Sequence, residues 1–237
     1  MIIEILFNEV CGLNGDAQNA AYLQYAMPDA QIIYTSLLDT PYFAENRPDL
    51  ILLGYMTENT QRRVIERLMP LKDRLNTLID DGVVFLATGN AGEIFCKKIS
   101  YVTEKLEVEG LGIFDLEVKT DLFKRYNGKI LSRFEGIEVV GFRTQFSHIY
   151  GNNSDCYFGE VIRGIGINPD SKLEGMRKNN LLCTHTVGPI LPLNPLFCEK
   201  LIALSGGNAQ AAFREEAIAA YEERLKEWHD PNIRFDM

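Results

Sequence analysis

The run VVFLATGNAGEIF, residues 83–95, is where this sequence comes nearest to an arrangement that does chemistry. It reads as a buried strand, a tight glycine-bearing turn and the start of a helix. That is the build of a nucleophile elbow, in which a reacting side chain stands on a strained bend at a strand's carboxyl end. Backbone N–H groups at such a bend, with the helix N-terminus, stabilise a developing oxyanion. Here the apex is Gly89, which offers no side chain. A substitute has to come from nearby: Thr88 reaches the apex only if the bend shifts by one residue, and Cys96 lies about two turns, roughly 10 Å, along the expected helix. The best-placed base is His185. In the expected strand NLLCTHTVG, residues two apart share a face about 7 Å apart, which puts Cys183, His185 and Val187 in one row. The other reading of His185 is a hydrogen-bonded structural histidine. His148, in FSHIYGNN, and His229 read as loop and surface residues, and Asp16 and Asn19 read as caps of the first helix in preference to a catalytic role.

The elements around these residues alternate. IIEILFN, DAQNAAYLQYA, QIIYTS, DLILLGYM, a helical stretch from about Glu58 to Leu78, and VVFLAT fill the first ninety residues. Near-continuous apolar strands between helices predict a parallel sheet covered on both faces, so the fold class is α/β. Pro70 predicts a break near Met69. After Ser100, GIFDLEVKTDL, NGKILSRF, IEVVGFR and YFGEVI are period-2 runs between Gly and Asn turns, an antiparallel section. NPLFCEKLIAL and AQAAFREEAIAAYEERLKEW close the chain as helices, and Phe213, Ala217, Tyr221, Leu225 and Trp228 form an amphipathic docking face. No repeat or long linker divides residues 1–237, which predicts one domain.

Composition narrows the function. Hydrophobic residues are 46% and charged residues 24%, as in ordinary folded proteins. The net charge of −9, with no cluster of Lys or Arg among aromatics, argues against nucleic acid. No apolar run approaches bilayer length, and Met1 leads into a strand without a basic leader, so the expectation is no membrane and a cytoplasmic setting. Five scattered cysteines with no CxxC pair predict neither disulfides nor zinc, and no other cofactor is expected; Cys96, Cys183 and Cys198 read as small hydrophobes. There is no GxxxxGK[ST] loop for ATP.

LNGDAQNA, DLILLGYM, DDGVVFLATGNAGEIF, GLGIFDLEV, RYNGKI and EGMRKNNLLCTHTVGPILPLNP follow one another in that order. Together they resemble, over nearly the whole chain, the YGDRGN step, the strand before the oxyanion turn, and the DGxPxLAICGGYQLL, GLGxLD, RxxGxI and EGVRYKNxxGTYLHGPLLPxNP steps of another group. That group is the class I glutamine amidotransferase domain of the CobB/CobQ (cobyric acid synthase) type, and especially its GatD-like subunit. The resemblance implies a flavodoxin-like three-layer sandwich with a mostly parallel central sheet and an antiparallel section in the second half. It also implies a glutaminase in which a Cys attacks the side-chain amide, a His serves as base, and ammonia passes to an ATP-dependent, Mur-ligase-like partner.

Laid over this chain, the family Cys falls on Gly89 and the family His on Val187, and neither residue can perform the role. The glycine-rich oxyanion turn becomes Gly54-Tyr55-Met56, which predicts a narrower pocket. Glu93 replaces the Gln after the elbow, and GFRTQ, with Arg143 and Gln145, replaces GFENH. Arg125 matches the family arginine that holds the substrate carboxylate, and equally reads as a solvated residue before a hairpin. Gly54, Tyr55, Asn90, Arg125 and Gln145 are the expected ligand contacts, for a small carboxylate-bearing molecule such as glutamine. Two functions stay open: a non-catalytic ligand-binding or partner subunit, or an active amidotransferase, in cobyric acid or cell-wall precursor amidation, using displaced groups such as Cys96 or Thr88 with His185.

Overall fold

A computed structural model describes residues 1–236. In chain order the elements are β1 (Ile2–Leu6), α1 (Ala17–Ala26), β2 (Gln31–Thr35), β3 (Leu50–Leu53), α2 (Glu58–Leu68), α3 (Lys72–Asp80) and β4 (Val84–Thr88). The middle of the chain is β5 (Cys96–Tyr101), β6 (Leu106–Glu109), β7 (Phe114–Thr120), β8 (Tyr126–Phe134), β9 (Ile137–Gln145), β10 (Ser147–Tyr150) and β11 (Gly159–Arg163). Then come β12 (Leu173–Glu174), β13 (Met176–Lys178), β14 (Leu181–Thr184), α4 (Ile190–Leu193), α5 (Pro195–Leu204) and α6 (Arg214–His229). No helix among the described residues is long and apolar enough to cross a membrane.

The central sheet has the order β13-β14-β4-β3-β1-β2, parallel throughout except for β13 at the edge. Its inner strands β3, β4 and β14 are apolar up to their carboxyl-terminal Thr88 and Thr184 and buried throughout, because both faces are covered. Ile51, Leu53, Phe85, Ala87, Leu181 and Cys183 pack with Val64, Leu68, Leu75 and Leu78 of α2 and α3. The residues between them, Leu50, Leu52, Val84, Leu86 and Leu182, pack on the other side with Leu23 of α1 and Phe197 and Leu201 of α5. This is the period-2 division of a doubly covered parallel sheet. The break at Pro70 is a short 3-10 turn over Met69–Leu71 between α2 and α3.

Two further four-stranded sheets, β10-β7-β5-β6 and β12-β11-β8-β9, form the second half. They are antiparallel apart from the β5–β7 pair. α6 covers the β8–β9 hairpin, with Tyr221 and Trp228 packed on Leu131 and Val140.

Four sequence expectations need correction. No α-helix follows the Gly89 bend: Gly89–Phe95 is a 3-10 segment that runs into β5. The carbonyls of Ile94, Phe95 and Cys96 accept hydrogen bonds from Leu111, Ile113 and Gly112, so this backbone is spent on a neighbouring loop and cannot continue a helix. Cys96 is therefore the first residue of a strand. β14 ends at Thr184, because the N–H of His185 goes to Glu174 Oε1 (2.8 Å) and that of Thr186 to Thr184 Oγ1 (3.0 Å), so Cys183, His185 and Val187 do not form one strand row. The last helix starts at Arg214. Residues before it dock by backbone, with Tyr22 donating to the Ala212 carbonyl, and Phe213 (φ +50°) is exposed instead of joining the apolar face. His148 lies on β10 and not in a loop.

Candidate functional site

The carboxyl ends of β1, β3, β4 and β14 converge, and the turns after them build the site. This is where open parallel sheets place their ligands. The β4 turn is sharp as expected, with Gly89 at φ +60°. Tyr55, the residue from which a narrower pocket was expected, lies over it. A Cβ built on Gly89 would stand 2.3 Å from Tyr55 Cδ2 and 2.7 Å from Tyr55 Cγ, so the Tyr55 ring occupies the space into which a side chain at position 89 would project. The ring is buried and its hydroxyl donates to the Thr144 carbonyl on β9 at 2.8 Å.

The turn carrying Tyr55 is held at each backbone group. Tyr55 N–H donates to Asp16 Oδ2 (2.8 Å), its carbonyl accepts from Leu13 N–H (3.0 Å), and Met56 exchanges two bonds with the Asn90 side chain (3.1 and 2.9 Å). Asn90 is thus committed to the protein's own backbone. Gly54 is required for packing, since a Cβ there would meet the Cys11 carbonyl at 2.2 Å.

Asp16 does not cap α1 with its side chain. Its carboxylate faces inward, accepting from Tyr55 N–H, from Asn19 Nδ2 (3.2 Å) and from the Thr88 hydroxyl. Burial pushes its pKa up to about 6, against the pull of those three donors. Beside it is a cavity of about 20 Å³, lined by Asn8, Gly54 and Thr88 among others, the size of one water. Thr88 is buried and turned to Asp16, away from the bend.

His185 has a partner ninety-two residues away along the chain. Its Nε2 lies 3.0 Å from Glu93 Oε1, with both side chains buried. Glu93 also accepts from the Ser147 hydroxyl and from Gln61 Nε2 (2.9 Å), and Gln61 Oε1 accepts from Tyr101 at 2.8 Å. Beyond it lies Arg143, fully buried, donating to Gln145 Oε1 (3.0 Å) and to the carbonyls of Ile165 (2.6 Å) and Gly166. Gln145 in turn donates to the Ser147 carbonyl. Two polar atoms in this cluster, His185 Nδ1 and Arg143 Nη2, have no protein partner. His148, half-buried near Arg143, is held down to about 4, first by desolvation and then by the guanidinium, and is neutral at pH 7.

The remaining candidates are spread apart. Val187 is buried and pairs through its backbone with Phe142 (2.9 and 3.1 Å). Cys96 is sealed in the core with its thiol on Met176 Sδ at 3.6 Å, and burial drives its pKa well above the usual thiol value. Arg125 is exposed and donates twice to Thr144 Oγ1 (3.2 and 2.8 Å), on the residue whose carbonyl holds Tyr55. Sequence reasoning noted Glu93 only as a replacement for the Gln after the elbow and passed over Gln61, whose signal was a polar side chain within the buried apolar stripe of α2.

Chemically, the arrangement is a closed polar core with no nucleophile at the bend. A solved structure described as a glutamine amidotransferase superposes with a TM-score of 0.55 over 87% of this chain and all of that one, at 13% identity. The chain has the glutamine amidotransferase fold. Within that fold, the sequence is similar to the lipid II isoglutaminyl synthase (glutamine-hydrolyzing) subunit GatD of Staphylococcus aureus, 33% identical over 150 residues. That match spans 62% of this chain and 59% of the relative. The subunit of the same name from Streptococcus pneumoniae is 22% identical over 98% of this chain and 91% of its own length. No family profile matches the chain.

Proposed function

We propose that this protein is a GatD-like member of the CobB/CobQ-type amidotransferases that has lost glutaminase activity and serves as a partner or ligand-binding subunit. Both relatives are named as subunits, which supports a protein that works with a partner; an ATP-dependent, Mur-ligase-like synthetase is the partner that the resemblance of the sequence implies. The observation that carries the reading is the Tyr55 ring over Gly89: the position of attack lacks a reagent, and the room for one is filled. Losing a nucleophile or base costs about a million-fold in a triad enzyme, and the binding groups left behind do not restore a metabolic rate.

The competing reading, an active amidotransferase with displaced groups, has one observation in its favour. His185 held by Glu93 has the base-and-orienting-acid form of a catalytic triad. It lacks a thiol or hydroxyl to complete it, Cys96 and Thr88 both being turned elsewhere. Ammonia release from glutamine, measured with the protein alone and with candidate synthetases, decides between the two. We expect none above background; turnover above about 1 s⁻¹, abolished by His185→Ala, establishes the active enzyme instead.

A further inference from the structure

Away from the Gly89 bend, the loop Gly110-Leu111-Gly112 and the start of α3 border a cleft of about 570 Å³. That volume is in the range of small-molecule sites. The loop belongs to the GLGIFD stretch, which the proposed function leaves without a role. It is fixed in place: the N–H groups of Gly110, Leu111, Gly112 and Ile113 all donate to carbonyls of Lys97, Ile94, Cys96 and Phe95. Glycine is needed at both ends, because a Cβ on Gly110 would strike the Cys96 carbonyl at 2.1 Å and Gly112 has φ +65°. This side of the cleft is therefore fixed backbone, while the rest of the lining carries side chains, among them the carboxylates of Glu109, Asp115 and Glu117.

Three lysines face this cleft. Lys97 pairs with Asp115 at 3.1 Å, and Lys98 with Glu107 at 3.1 Å and Glu117 at 3.9 Å. Lys72 is different. It is half-buried, its ammonium lies 3.5 Å from the position of a Cβ on Gly112, and among the described residues no carboxylate pairs with it. It is also the first residue of α3, where the helix dipole disfavours a cation. Asp73 beside it is exposed and makes no ion pair. A half-buried lysine placed against its local preference, with no ion pair among the described residues, is the kind of local conflict that marks a site, even with the exposed Glu109 elsewhere on the lining.

We propose that this cleft binds a small organic anion, a carboxylate or a phosphate monoester, with Lys72 as its counter-charge and the apolar edge of Ile113 and Phe114 beneath its body. The Lys97–Asp115 pair at the rim accommodates polar substituents of either sign. The site is separate from the Gly89 bend, so its fate is independent of the ammonia assay.

The test is titration of ¹⁵N-labelled protein with glutarate, glycerol 3-phosphate and inorganic phosphate. We expect shifts centred on Lys72, Gly110, Gly112 and Ile113 with at least one organic probe, the two arms telling carboxylate from phosphate. Lys72→Met should weaken binding about tenfold or more, the loss of one hydrogen bond to a charged group, while Lys72→Arg retains it. On the unaltered protein, a saturating probe should slow acetylation of Lys72 relative to the exposed Lys97. Shifts elsewhere, equal affinity in Lys72→Met, no protection of Lys72, or a response to inorganic phosphate alone, which marks an adventitious ion only, each overturns the proposal.

Discussion

A side chain at position 89 meets both a ring and a strained backbone, since Tyr55 Cδ2 lies 2.3 Å from the Cβ site and φ is +60°. Gly89→Cys is therefore expected to destabilise the protein by about 2 to 4 kcal/mol, from overpacking and left-handed strain together. The cause is separable in a double-mutant cycle. With Tyr55→Ala present, Gly89→Cys should cost less by about 1 to 3 kcal/mol in urea unfolding, and a coupling of zero would show that the ring does not fill that space. Asp16 makes a second residue-level prediction. Its folded pKa of about 6 lies above the ordinary 3.8, so between those values the folded chain holds a proton that the unfolded chain has released. Stability from this group is full below about pH 4 and is lost as pH rises to 6, by about 3 kcal/mol. Asp16→Asn should remove that contribution, so the difference in stability between the two proteins, measured by denaturant unfolding, changes by about 3 kcal/mol across that range while the slopes from the other shifted carboxylates cancel.

The bend after β4, the break at Pro70 and the doubly covered sheet were legible because each follows from local chemistry: a glycine, a missing N–H, and inner strands that are almost wholly apolar. What the local pattern could not give is where backbone groups are spent across distance. The 3-10 segment after Gly89 carries GNAGEIF, a plausible helix start by its own residues, yet its carbonyls serve the Gly110–Gly112 loop. The Glu93–His185 pair joins residues ninety-two apart, with Gln61 and Ser147 added from α2 and β10. Because one carboxylate ties this segment to α2, β10 and His185, Glu93→Ala, which leaves the buried Gln61 and Ser147 donors without their acceptor, should cost about 2 to 4 kcal/mol. Glu93→Gln, which keeps an acceptor for Gln61 or Ser147, should cost less. Equal losses, read from urea midpoints, would mean that volume and not hydrogen bonding holds the segment.

At the scale of the whole molecule, the chain is stitched by returns from its end to its middle. Lys129 N–H donates to the Phe235 carbonyl at 2.7 Å, and Gly128 bridges to Asp236, so Phe235 and Asp236 lie along β8. Arg163 of β11 gathers this closure: its guanidinium donates to the carbonyls of Trp228 (2.6 Å), Asp230 (2.7 Å) and Ile233 (2.8 Å) and stacks 4.1 Å from the Phe235 ring. These are the carbonyls at and beyond the end of α6, which a helix leaves without internal partners. Arg163→Met keeps the stem and removes all three donors, and should destabilise by about 2 to 4 kcal/mol, given that a bond to a charged group is worth roughly 1.5 to 3 and that several such losses are not additive. The chain has a single tryptophan, Trp228, buried at this closure with its Nε1 on the Ile130 carbonyl at 3.1 Å, so its fluorescence reports directly on the docking of α6. In Arg163→Met the emission should shift to the red at a lower urea concentration than the far-ultraviolet dichroism of the central sheet and its helices. Coincident transitions would show that α6 and the β8–β9 hairpin unfold with the rest, and that Arg163 adds stability without creating a weaker end.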